Sequence, residues 1–202
     1  MSTAAKYESK RYALLNVHDR RHQNTVNRLI APEPGDRLIE IGCGRGFLTR
    51  ALAADGIDAI GVDANPYSVE NAVTDRVVQM SAEKLDYPSE SFDKALAVHS
   101  LEHMPDLPAV LAEISRVLKP GARALFIYPA EPIQGLYAMP SAYTLLGNPF
   151  KARQVHCQWL WPKKLTAIAT KKGLSHVSSE FNLFASPQFV SVYEKVSDGG
   201  AR

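Results

Sequence analysis

Three glycines fall within five positions at Gly42, Gly44 and Gly46, and the acid Glu40 stands two residues before the first of them. Each Gly inside a regular element costs roughly 0.5–1 kcal/mol relative to Ala, so this density marks a place where something needs the backbone bare. An apolar run from Leu38 to Ile41 precedes the glycines and a helical pattern beginning at Phe47 follows them. That order puts amide N–H groups at a helix N-terminus, facing the space beyond the carboxyl edge of a sheet, where they can cradle a ligand. A tight strand-to-helix turn would need only one Gly. A dinucleotide pyrophosphate is seated by Gly-x-Gly-x-x-Gly, and here the third glycine comes one residue early.

The elements that must position this loop alternate. Strands are expected over 37–41, 58–62, 76–80, 94–98 and 122–128, with helices over 47–54, 67–73 and 106–118 between them. Repeated β-then-α order implies a parallel sheet with helices on both faces. In the helix over 106–118, Leu107, Val110, Leu111, Ile114 and Val117 recur on one face, and Lys119-Pro120-Gly121 stops it. A further helix over 162–172 leads to strands over 176–184 and 188–196, joined by Ala185-Ser186-Pro187. So short a connection makes an antiparallel hairpin. At the N-terminus, Leu15, His22, Val26 and Leu29 predict a helix within residues 6–30, ended by Pro32, Pro34 and Gly35. Between 129 and 161 lies a Pro-punctuated stretch bearing Tyr137, Tyr143, Phe150, Trp159 and Trp161 with one helix, around 138–146. Long irregular segments of this kind are usually functional.

At 202 residues, 46% hydrophobic and 22% charged, the chain is sized for one α/β domain spanning 1–202 that buries about 70% of its unfolded surface. A net charge of +2 gives no phosphate-tracking surface, and the basic bias of residues 1–30 reads as a solvated helix face, so nucleic acid is not an expected partner. Cys43 and Cys157 belong to no Cys-x-x-Cys pair, which points to a reducing, cytoplasmic setting. No apolar run approaches the roughly 20 residues needed to span a bilayer. No His, Cys and carboxylate cluster stands at ligand spacing along the chain, so no metal is expected.

Four blocks in order carry a family resemblance: Glu-Ile-Gly-Cys-Gly-Arg-Gly at 40–46, Gly-Val-Asp-Ala-Asn at 61–65, the stretch from Ser81 to Asp93, and His-Ser-Leu-Glu-His-Met-Pro-Asp at 99–106. Leu-Lys-Pro-Gly at 118–121 and the closing hairpin add to them. The chain thereby resembles the class I S-adenosylmethionine-dependent methyltransferases, in the small single-domain branch acting on lipids, quinones and other small molecules. The resemblance implies a doubly wound, Rossmann-like, mostly parallel seven-stranded sheet of order 3-2-1-4-5-7-6 with an antiparallel C-terminal hairpin. It implies a cofactor, S-adenosyl-L-methionine, and S-adenosyl-L-homocysteine as product.

On this resemblance the methionine half of the cofactor lies against Gly42, Cys43, Gly44 and Gly46, and Glu40 sets negative charge near its ammonium and sulfonium. Asp63, with Ala64 after it, accepts the ribose hydroxyls. Ser81 stands where relatives often carry Asp to meet the adenine amino group, with Ala82 and Glu83 next, so either Ser81 or Glu83 meets the base. His99 begins the loop that lines the methionine end and the acceptor site. His99, His103 and His156 are candidates for a general base; His18 and His22 join them if residues 1–34 fold over the mouth as a lid. Residues 129–161 are expected to cover a small hydrophobic acceptor with their aromatic rings, joined by Tyr128 at the end of the fifth strand. Two alternatives stay open: a non-catalytic S-adenosylmethionine-binding partner protein, and a nicotinamide-dependent oxidoreductase, for which the chain lacks a convincing Tyr-x-x-x-Lys pair. Sequence leaves the oligomeric state open.

Overall fold

A computed structural model describes residues 20–183 and 186–197. The first part of the expected N-terminal helix, with Leu15 and His18, and the hairpin residues Phe184 and Ala185 lie outside them. Helix α1 (Arg20–Leu29) is followed by β1 (Arg37–Ile41), α2 (Phe47–Ala54), β2 (Asp58–Asp63), α3 (Pro66–Glu70), β3 (Val77–Gln79) and β4 (Phe92–Val98). Then come α4 (Leu107–Val117), β5 (Leu118–Pro129), α5 (Met139–Leu146), α6 (Pro162–Thr170), β6 (Leu174–Asn182) and β7 (Gln188–Lys195). The strands form one seven-stranded sheet in the order β3-β2-β1-β4-β5-β7-β6, parallel from β3 to β5 and antiparallel across β5-β7-β6. This is the expected doubly wound order.

The central strands β1, β4 and β5 are buried on both faces, and strand alternation sorts their side chains between two apolar clusters. Ile39, Ile41, Ala95, Ala97, Ala124 and Phe126 pack with α4 and α6 through Leu111, Ile114 and Leu165. Leu38, Ala59, Leu96, Leu125 and Ile127 pack on the other face with Val26 and Ile30 from the N-terminal helix region and Leu48 and Leu52 of α2. The intervening positions of β1 and β4 thus serve opposite layers, which is why these strands read as continuous apolar runs.

Ends of elements obey local chemistry. Asn65 caps α3 by accepting the Tyr67 N–H at 3.0 Å, with Pro66 at the first helical position, and Asp106 caps α4 by accepting the Ala109 N–H at 3.0 Å. Helix α4 ends at Val117, and β5 begins at once with Leu118 paired to Phe92, so Lys119-Pro120-Gly121 lies within the strand's opening irregularity. Within 129–161, Ala138, Ala142, Ala152 and Val155 form a separate small cluster beneath α5 and a 3-10 turn, Pro149–Gln154. Among the described residues no helix is long and apolar enough to cross a membrane, and Cys43 and Cys157 are both free thiols.

Candidate active site

The carboxyl ends of β1, β2 and β4 open on a cavity of about 870 Å³. Its wall includes Glu40, Gly42, Cys43, Gly44, Asp63, Ala64, Ser81, Ala82, Glu83 and His99 from the expected cofactor set, and His103 and His156 from the expected catalytic set. Gly46 stands at the N-cap of α2 in a left-handed conformation, φ 77°, behind the residues that line the wall.

The glycine loop is shaped first by the protein itself. A Cβ on Gly42, where φ is 68°, would lie 2.5 Å from Ser100 Cβ, and Ser100 is pinned there by its hydroxyl donating to Ile41 O at 2.8 Å. A Cβ on Gly46 would meet Val77 Cγ2 at 2.4 Å. Two of the three glycines are therefore needed to let β4's loop and β3 close against the turn. Gly44, φ 57°, holds the cradle's polar contact: its N–H donates to Asp63 Oδ2 at 2.8 Å.

Asp63 Oδ1 accepts the Asn65 N–H at 2.9 Å, so the carboxylate is fixed from both sides at the rim of β2. It is not the helix cap, because Asn65 is. Burial pushes the Asp63 carboxyl up, against the bonds from Asn65, Gly44 and Ser68 that favour its charge. Glu40 is more deeply enclosed. Burial raises it to about 7, although the Thr49 hydroxyl donates to its Oε2 at 2.5 Å. Beyond β3, Ser81 Oγ accepts the Glu83 N–H at 3.2 Å, which folds this short turn onto the wall.

The loop after β4 gathers the histidines. His99 has φ 49°, held by its N–H donating to Ile127 O at 2.8 Å. Its Nε2–H donates to Gln188 Oε1 at 2.8 Å, and its Nδ1 lies 3.6 Å from Glu102 Oε1. Burial opposes charge on this ring, yet Glu102 and Gln188 prevail and raise its pKa. His22 of α1 tilts against it with ring centroids 5.5 Å apart, so the N-terminal helix does reach the mouth. His103 donates Nδ1–H to Val155 O at 2.9 Å, and burial lowers its pKa. His156 donates Nδ1–H to Glu131 Oε1 at 2.9 Å, and the His103 and His156 rings meet edge to face with centroids 4.9 Å apart. Glu102 is buried, which opposes its charge, but the bond to His99 and the neighbouring His103 and His156 hold its carboxyl at about 2.

Three residues escaped sequence reasoning: Glu102, Glu131 and Gln188. Glu102 lay inside the 99–106 block, yet only its histidines stood out. Glu131 sits among prolines, and its carboxylate also accepts the Gly135 and Tyr137 N–H groups, each at 2.9 Å, so it organises the whole insertion. Gln188 is brought to His99 only by the β5–β7 pairing.

The insertion covers one end of the cavity with Leu136, Tyr137, Pro140 and Ser141. Of the aromatic residues expected to line the acceptor space, only Tyr137 does. Tyr128 is buried in the sheet with its hydroxyl 2.9 Å from Ser191 Oγ, while Tyr143 and Phe150 are 66% and 87% exposed and Trp159 and Trp161 face outward against each other. The physical reason is that the insertion turns its small residues, Ala138, Ala142 and Ala152, inward to pack closely.

A family model described as "Methyltransferase domain" matches residues 11–179. Ubiquinone biosynthesis O-methyltransferase of Methylococcus capsulatus is 38% identical over 101 residues, 46% of this chain and 43% of that protein. The chain thus spans less than half the length of the curated relatives it matches first. The solved structure of phosphoethanolamine N-methyltransferase 2 from Haemonchus contortus, in complex with phosphomonomethylethanolamine and S-adenosylhomocysteine, superposes with a TM-score of 0.75 at 15% identity, covering 98% of this chain and 60% of that one. The [4+2]-cyclase SpnF superposes with a TM-score of 0.69 at 16% identity, covering 87% and 80%. These superpositions speak for the fold alone.

Proposed function

Because this chain belongs to the methyltransferase-domain family, we propose that it binds S-adenosylmethionine along the carboxyl rim of β1 and β2 and methylates a small hydrophobic acceptor held beneath the insertion. The observation that carries this reading is Asp63, a buried carboxylate fixed by Gly44 and Asn65 at the end of β2 with Glu40 deeper in the same cavity. The residues fit the group: Asp63 would hold a diol, Glu40 would balance a cation, and about 870 Å³ is in the volume range of small-molecule and cofactor sites. When bound, the sulfonium supplies a methyl group whose transfer leaves a neutral thioether.

The chain's own part is alignment and proton handling. Positioning of two reactants is worth about 7–11 kcal/mol, and the rigid floor formed by Gly42, Ser100 and Ile41 supplies it from the protein side. Met104, Pro105, Val110, Leu136 and Pro140 give the acceptor end an apolar wall, which favours a hydrophobic acceptor, in keeping with a relative named for ubiquinone biosynthesis. His99 lies between Gln188 and Glu102; with its ring proton moved to Nδ1 facing Glu102 and Gln188 displaced, its Nε2 lone pair accepts the proton of an acceptor hydroxyl.

Calorimetry with S-adenosylmethionine, S-adenosylhomocysteine and NADH tests the reading. The two sulfur compounds are expected to bind at one site per chain and NADH not at all. NADH binding with no response to the other two overturns it. Release of S-adenosylhomocysteine on incubation with small-molecule extract is the accompanying turnover test.

A further inference from the structure

We propose that Glu102, His103 and His156 form a binding site for one divalent transition-metal ion of the zinc type at the acceptor end of the cavity. One candidate ligand atom from each residue lies within 4.8 Å of the other two. The hydrogen bonds choose which atoms these are. His103 spends its Nδ1–H on Val155 O and His156 spends its Nδ1–H on Glu131 Oε1, so Nε2 is the nitrogen each ring can offer to a metal ion. Glu102 Oε1 lies 3.6 Å from His99 Nδ1 and 4.0 Å from His103 Nε2, and its Oε2 is buried with no hydrogen-bond partner among the described residues. A buried carboxylate oxygen without a donor costs about 1–3 kcal/mol or more, and a cation is the partner that removes that cost.

The surrounding bonds have the form that metal ligands require. A ligating histidine almost always donates its other N–H to a carbonyl or carboxylate, which fixes the tautomer and the ring plane. Both arrangements occur here, a carbonyl behind His103 and a carboxylate behind His156. Two imidazole nitrogens and one carboxylate oxygen suit Zn²⁺ and its first-row neighbours rather than Mg²⁺ or Ca²⁺, which prefer oxygen throughout. Bonds of about 2.0–2.2 Å would draw the three side chains inward. Three protein ligands leave a fourth position open, and all three residues lie on the cavity wall, so that position faces the acceptor. This departs from the expectation of no metal, which rested on spacing along the chain; His156 arrives from the insertion and could not be paired with Glu102 by spacing.

Resting on the proposed methyl transfer, the ion's role is to select acceptors that present a hydroxyl. The ion lowers the hydroxyl's pKa, which eases passage of its O–H proton to His99 on the same cavity wall. The oxygen then forms its bond to the methyl carbon as the carbon–sulfur pair returns to sulfur.

The test uses the tag-free full chain, stripped with chelator and titrated with Co²⁺ and Zn²⁺, with Mg²⁺ as comparison. One Co²⁺ per chain with a visible d–d absorption band is expected, displaced by Zn²⁺. Glu102→Gln and His156→Ala should each weaken binding at least tenfold, and Glu131→Gln by 10–100-fold through His156. His156→Cys should restore binding and add a thiolate-to-Co²⁺ charge-transfer band. Absence of stoichiometric Co²⁺ or Zn²⁺ binding, or affinity unchanged in both Glu102→Gln and His156→Ala, overturns the proposal. S-adenosylhomocysteine calorimetry on the same proteins reports folding and keeps a failed metal site distinct from a failed methyltransferase reading.

Discussion

Asp63 and Glu40 are both buried acids on the cavity wall, yet their environments set them apart. Asp63 has backbone donors from two loops on its two oxygens, whereas Glu40 is held by Thr49, through its hydroxyl and its backbone. Charge-assisted hydrogen bonds are worth about 1.5–3 kcal/mol each. Asp63→Ala should therefore weaken S-adenosylmethionine binding by tens- to a thousandfold in calorimetry, and retained affinity would remove the diol contact. For Glu40 the proton is the variable. Folding raises its carboxyl from an ordinary 4.5 to about 7, so the folded chain keeps a proton that the unfolded chain releases. Stability from this group is full below about pH 4.5, falls as pH climbs to 7, and is flat above, a loss of about 3 kcal/mol. A cation bound beside Glu40 favours its charged form, so cofactor affinity should rise with pH up to about 7 and then level. Glu40→Gln should flatten that profile and make melting less sensitive to pH over the same range; a flat profile in the unaltered chain would count against the contact.

At the scale of elements, two loops interlock at the sheet rim. Gly42 and Ser100 meet where β1 and β4 end, and the clash distance of 2.5 Å with φ of 68° makes Gly42→Ala costly twice over, by contact and by backbone. A loss of about 2–4 kcal/mol is expected, seen as a melting temperature lower by several degrees. Adding Ser100→Gly should recover the contact part and leave the backbone part, so the double mutant should melt between Gly42→Ala and the unaltered chain; no recovery would place the cost elsewhere. The insertion hangs on Glu131, which ties Gly135, Tyr137 and His156 together while the apolar cluster beneath it is small and separate. Glu131→Ala should open this segment to limited proteolysis after Lys151 and Arg153 with little change in global melting. Equal resistance to proteolysis would show that the cluster alone holds the insertion.

For the whole molecule, the cavity is where layers meet: the β1–β2–β4 rim as floor, the insertion at one end and His22 of α1 at the mouth. Helix α1 is docked by Val26 in the lower core, by Gln23 Nε2 donating to Asp55 at 2.7 Å, and by the ion pair of Arg28 with Glu180 on β6. It thus links the first helix region to the far hairpin. A ligand that bridges floor and mouth should protect α1 amides in hydrogen exchange and, at 100 times its Kd, raise stability by about 2.7 kcal/mol. Protection confined to the glycine loop would show that α1 is no part of the closed site.

The sequence by itself determined the order of strands and helices along the chain, the glycine loop after β1 and the acid ending β2, because these follow from local periodicity and local backbone requirements. Strands β1 and helix α2 even have the expected bounds, Arg37–Ile41 and Phe47–Ala54. Tertiary structure alone decided which glycines serve packing, that Tyr137 rather than the other rings lines the cavity, and that Glu102, Glu131 and Gln188 complete the histidine cluster. These outcomes depend on side chains far apart in the chain sharing one small, poorly solvated space, where each hydrogen bond fixes the next, and no spacing along the backbone encodes that meeting.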